Sequence, residues 1–144
     1  MIKEIAAFIL QQNAAITYWV RDVNYFVGHI PILNINNVKV EGISRIAGIL
    51  ENSPGDPVGD LPDRLDKPIQ IYNRAGSYFQ ARRDAKNFYD SLHGSSQWEL
   101  PSITSGETYW AMIIDAMGSF APIENPDSKG RFVFSANYLF RIAE

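Results

Sequence analysis

The chain has 144 residues, a globular share of apolar side chains and a formal net charge of −3, enough for one domain (1–144) with a real core. Its mild acidity argues against a sequence-independent nucleic-acid binder, which is usually basic. The absence of cysteine excludes disulfides, thiolate chemistry and cysteine zinc sites.

The opening MIKEIAAFILQQN reads as a helix. Ile2, Ile5, Ala6, Ile9 and Leu10 share one face, with Lys3, Glu4, Gln11 and Gln12 opposite. The segment is too short and polar to span a membrane and lacks a signal-peptide pattern, so a soluble intracellular product is expected. Ile16–Val20 is β-branched and aromatic and reads as strand; Tyr25–Val27 with Ile30 continues the theme. Asn34–Asn37 offers a turn, after which Val38 and Val40 alternate with Lys39 and Glu41. Gly42 and Gly48 bracket ISRIA, which fits a bent strand or a short helical turn. The stretch 51–67 is rich in Pro, Gly and Asp and predicts a long loop. Its carboxylates Asp56, Asp60, Asp63 and Asp66 lack the spacing of a calcium loop and read as solvated.

Lys67–Gly94 is the best-marked unit. Ile69 and Ile71 alternate with Gln70 and Tyr72, and Gly76 ends that strand. Ser77 and Gln80 form a capping-box pattern, and Gly94 stands where a helix stop belongs. Between them Tyr78, Ala81, Ala85, Phe88 and Leu92 make one apolar stripe, with Arg82, Arg83, Lys86, Asn87 and Asp90 on the other side. Trp98–Leu100 predicts a short strand. Thr108–Met117 is apolar on both faces, which predicts a central strand covered on both sides. Pro122–Gly130 is turn-rich. From Arg131 the alternation is clean: Phe132, Phe134, Ala136, Tyr138, Phe140 and Ile142 face one way, and Arg131, Val133, Ser135, Asn137, Leu139 and Arg141 the other. A slip of one residue would expose four rings, so the register is firmly specified. The aromatic face is expected to lie under the 77–92 helix rather than to stack bases. The fold class is therefore α+β: a small mixed, mainly antiparallel sheet with two helices on one face.

Catalytic patterns are missing. His29 and His93 are the only histidines, without spaced metal-binding partners; His93 suits a cap at a helix C-terminus. There is no nucleophile elbow, phosphate loop or dinucleotide fingerprint. Asp115 is the one unusual carboxylate, expected to pair with Arg74 or Arg141 or to face a subunit contact. Neither an enzyme activity nor a cofactor or metal is expected.

The strand-then-helix IQIYNRAGSYFQARRDAKNFYDSLHG, with Arg74, the Ala81–Arg82 pair and Tyr89, is followed by Thr108–Met117. The chain then closes with Gly130–Arg131–Phe132 and Asn137–Tyr138–Leu139–Phe140–Arg141. Together these resemble the tail-terminator or minor capsid family of long-tailed bacteriophages. The resemblance runs from Lys67 onward; the first sixty residues match in element order alone.

The resemblance implies a structural virion protein at the head–tail junction, made in the host cytoplasm. It implies a homo-oligomeric ring, a hexamer, that caps the tail tube, ends its growth and meets the head-completion or connector protein. Genomic DNA would pass through without specific binding, and no membrane is involved. Candidate subunit or axial contacts are Arg74, Arg82, Arg83, Lys86, Asp115, Glu124, Asp127, Lys129, Arg131, Asn137 and Arg141. The loops 51–67 and 121–130 are expected to meet the axial neighbours. Alternatives are a neighbouring connector or tail-completion protein and, from another class, a small ligand-binding or hydrolytic α+β domain.

Overall fold

A computed structural model describes residues 1–51, 56–58, 61–103, 108–118, 121–122 and 129–143. In chain order the elements are α1 (Ile2–Gln12), β1 (Tyr25–Val27), a 3-10 turn (Val40–Gly42), β2 (Ile46–Glu51), β3 (Asp56–Val58) and β4 (Leu61–Ala75). They continue with α2 (Tyr78–Leu92), β5 (Ser96–Glu99), β6 (Trp110–Ala116), β7 (Ala121–Pro122) and β8 (Phe132–Ala143). The strands form one sheet in the order β1-β2-β4-β8-β6-β5, with β3 paired to β4 and β7 to β8. β1 and β2 run parallel and every other pair is antiparallel. This is the α+β class expected.

The sheet's axis is the β4–β8 pair. It runs unbroken from Ala75↔Phe132 to Arg64↔Ala143. Phe134, Ala136, Tyr138, Phe140 and Ile142 are buried on the inner face, while Asn137 and Arg141 are exposed on the other, as the alternation predicts. β4 sends Ile69, Ile71, Asn73 and Ala75 to the same inner face. Both helices cover that face. From α2, Ala81 and Ala85 pack with Ala75 and Phe134. Phe88 and Leu92 join Ile5, Ile9, Tyr25, Tyr138 and Phe140 in the main core. The buried Asn73 carboxamide donates to the Ala81 carbonyl at 2.9 Å, tying strand to helix. Gly94, with φ +79°, ends α2 in the left-handed region where a side chain would be strained.

Several expectations are corrected. The 51–67 stretch is not a loop throughout: Asp56–Val58 and Leu61 onward are strands. The twelve-residue β8 provides a ladder that local Pro and Asp content cannot overrule, since strand formation follows tertiary context. Pro68 falls between the Glu51↔Ile69 and Asp56↔Asp66 pairings, where a missing N–H disturbs the sheet least. Ile16–Val20 is not a strand. Its ring residues pack instead: Trp19 lies against Phe88, with ring centroids 5.7 Å apart. Asn24 holds the bend, accepting from the Val20 N–H and donating to the Tyr18 carbonyl, each at 2.7 Å. The capping box does not form. Ser77 makes no side-chain cap bond, and Gln80 donates to Asp84 at 2.9 Å. Of ISRIA, the strand takes the part from Ile46. β6 is covered on one face only: Ala111 and Ile114 are buried, while Trp110 and Ile113 are exposed.

Two buried phenols have opposite bonding. The Tyr25 hydroxyl donates to the Ala6 carbonyl of α1 at 2.6 Å. The Tyr138 hydroxyl is buried with no hydrogen-bond partner among the described residues. Burial pushes both well above the ordinary value of 10.0, aided at Tyr138 by nearby Tyr89 and Asp90 and opposed at Tyr25 by Arg21. A raised folded-state value means stability is intact below about pH 10 and falls above it, as the unfolded chain ionises first. Tyr138→Phe should stabilise the fold by about 1 kcal/mol by removing an unsatisfied hydroxyl, and should soften the alkaline loss. Tyr25→Phe should destabilise by about 1 kcal/mol, since it breaks a made bond. Denaturant unfolding at pH 7 and pH 10.5 checks both signs.

Candidate functional site

The outer face of the sheet divides into two regions. Over β2 and the end of β4 it is covered by residues 28–45, the connection between the parallel β1 and β2. Ile30, Val40 and Ile43 pack there with Phe26, Ile46 and Tyr72. Gly48 permits this close approach, because a Cβ would stand 3.2 Å from the Ile30 side chain. The Arg74 guanidinium donates to the Val40 and Ile43 carbonyls at 3.0 and 2.6 Å. Arg131 donates to the Glu41 carbonyl, and Lys129 pairs with the Glu41 carboxylate at 3.6 Å. Over β8 and β6 the outer face carries the exposed Asn137, Arg141 and Ile113 and the half-buried Val133, Ser135, Leu139 and Asp115.

The expected contact residues therefore scatter. Arg74 and Arg131, expected at an interface, are buried as internal anchors of the 28–45 connection. Arg82, Arg83 and Lys86 are exposed on α2, where Lys86 pairs with Asp90 at 2.6 Å. Asn137 and Arg141 are exposed on the outer face of β8. Glu124 and Asp127 lie outside the described residues, as does most of 121–130. Asp115 does not meet Arg74: the two face β8 at Leu139 and Val133, about 20 Å apart along a strand. Arg141 is its diagonal neighbour, with no ion pair between them among the described residues. His93 is the C-cap residue of α2, its backbone N–H donating to the Tyr89 carbonyl at 2.9 Å; its Nδ1 accepts from the Ala116 N–H at 3.1 Å, and its ring stacks on Tyr89.

Residues missed in the sequence form two apolar patches. The first is the tip of the 28–45 connection, where Ile32, Leu33, Ile35 and Val38 are exposed. This tip is held by its own hydrogen bonds. Leu33 bridges Lys39, and the Asn34 carboxamide oxygen accepts from the Asn36 and Val38 N–H groups at 2.9 and 3.0 Å. The Ile35 N–H donates to the Asp22 carbonyl at 3.0 Å, and Asn37 takes a φ of 61°. The second is the outer face of β6, with Trp110, Ile113 and Met117 exposed beside the half-buried Leu139. A bulge between Ala111 and Ile113 turns Trp110 and Ile113 to the same side. β2 and β6 are three strand steps apart, so the patches stand roughly 14 Å or more from each other.

Two clefts border the first patch. One, of about 240 Å³, is lined by Ile30, Pro31, Ile32, Lys39, Val40, Glu41 and Arg74. The other, of about 320 Å³, includes Asp22, His29 and Asn34. Arg74 and Asn34 are already committed to backbone partners. Among the described residues no group of three or more His, Asp or Glu could hold a metal ion. No described helix is long and apolar enough to cross a membrane. No protein-family model matches the chain, and no curated protein matches it significantly.

Proposed function

We propose that the chain is a structural virion protein of a long-tailed phage: a tail terminator that assembles as a ring, caps the tail tube and joins it to the head-side connector. The observation that carries this reading is the pair of unlike apolar patches on one sheet, the hydrogen-bonded tip of the 28–45 connection and the exposed strand face of β6. Patches of this kind on a small protein favour protein contacts. A ring built from identical subunits needs two different, complementary surfaces on each, which is what supports assembly over an isolated binding domain.

The test is complementation of a phage lacking this protein, with particles examined by electron microscopy. Overlong or uncapped tails in its absence, restored to uniform length by the protein, are the expected result. Tails of normal length detached from heads would move the assignment to a neighbouring connector protein. Normal-length, head-attached tails without the protein would overturn the virion reading.

A further inference from the structure

We propose that the 30–38 tip of one copy seats on the outer β6–β8 face of the next copy, head to tail. In this contact Ile32 and Ile35 lie on Trp110, Ile113 and Met117, and Lys39 meets Asp115. This rests on the ring reading above and names the surfaces that would build it. The tip carries the most open large apolar side chain among the described residues, Ile32 at 84%, with Ile35 at 69%; Met117 on the receiving face is 58% exposed, and Phe79 of α2, at 76%, lies outside both patches. They stand on backbone already fixed by the Asn34 bonds and the Leu33–Lys39 bridge. Little ordering entropy opposes their insertion into a partner.

The occupant follows from charge as well as shape. Lys39 flanks the tip and is exposed, and Asp115 stands among Ile113, Leu139 and Met117 on the receiving face. Neither takes part in an ion pair within the protomer among the described residues. The other charges near the tip are largely offset locally: Arg21 lies 3.5 Å from Asp22, and Lys129 is paired with Glu41. Arg141 stands opposite Ile113, on one side of Asp115, so Lys39 must approach Asp115 from the Met117 side. That requirement fixes the direction of docking. Because tip and face differ and lie apart on one subunit, each contact leaves one tip and one face free. Such a contact propagates until a ring closes.

The test is the mass of the assembly by light scattering and native mass spectrometry. The variants are Ile35→Asp and Ile113→Asp, with circular dichroism confirming that each folds; both sites are exposed. The wild type is expected to form a closed oligomer and each variant alone a monomer. Mixed one to one, the variants should give a heterodimer and nothing larger, because the intact tip of one meets the intact face of the other. Lys39→Glu and Asp115→Lys should each lose assembly, and the double exchange Lys39→Glu/Asp115→Lys should regain it. Wild-type rings that persist in both Ile variants would overturn this contact while leaving a ring-forming virion protein intact. A monomeric wild type, or a mixture that stays monomeric, would also overturn it. Complementation in the phage decides the functional reading separately.

Discussion

Arg45→Ala should destabilise the protein by about 3–5 kcal/mol, the range for breaking a buried ion pair from one side. The guanidinium of Arg45, just before β2, makes a two-pronged contact with Asp84 of α2: Nε to Oδ2 at 2.9 Å and a terminal nitrogen to Oδ1 at 2.8 Å. It also lies over the Tyr18 ring, 4.2 Å from the centroid, with the Trp19 ring at 5.1 Å. One side chain thus joins the 14–24 segment, the sheet and the helix. The asymmetry between the partners decides which mutation hurts more. The Asp84 side chain is fully buried, whereas that of Arg45 is 23% exposed. Removing Arg45 strands a buried carboxylate whose other side-chain donor among the described residues is Gln80. Removing Asp84 leaves an arginine that can turn toward water, so Asp84→Asn should cost less. Arg45→Lys should fall between, keeping the charge and losing the planar fork. Denaturant unfolding of the three variants checks the order; equal losses for Arg45→Ala and Asp84→Asn would refute it.

Phe134→Ala is expected to cost about 3–5 kcal/mol through the cavity it leaves, lowering Tm by roughly 10–20 °C. Phe134 is buried against Ala75, Ala81 and Ala85, and the Tyr78 ring lies 5.6 Å away. Three of those neighbours are alanines on fixed backbone, with little side chain to move into the void. Phe132→Ala, at a half-buried position, should cost clearly less. A Phe134→Ala protein that melts like the wild type would mean that this part of the core is not packed as described.

These two sites differ in how readable they were. The place of Phe134 follows from alternation alone, because a strand's side-chain period is two and six inward positions of β8 agree on it. The α2 stripe is legible for the same kind of reason. Arg45 carried no signal: its partner is 39 positions away, and nothing in a local window pairs them. The outer half of β4 was hidden because Pro and Asp mark loops locally, while its strand character comes from β8. The two patches were hidden for a simpler reason. An isoleucine in a tip and an isoleucine in a core are the same letter, and exposure is settled by what the rest of the chain covers. Asn34–Asn37 was recognisable as a turn, but not as a rigid platform for apolar side chains.

The β4–β8 axis has a consequence for synthesis. Its first pairing, Ala75↔Phe132, joins residues 57 positions apart, and its last, Arg64↔Ala143, joins residues 79 apart. The strand at the middle of the sheet is thus synthesised after every other described strand of it. Until it arrives, β4 has an open edge fifteen residues long, the kind of template that unrelated chains can pair with. Such non-local closure slows folding and lengthens the time spent exposed to aggregation. A nascent chain stalled before residue 131 lacks the strand that joins β4 to β6, so premature stops shortly before that residue should yield insoluble fragments rather than shortened, working subunits.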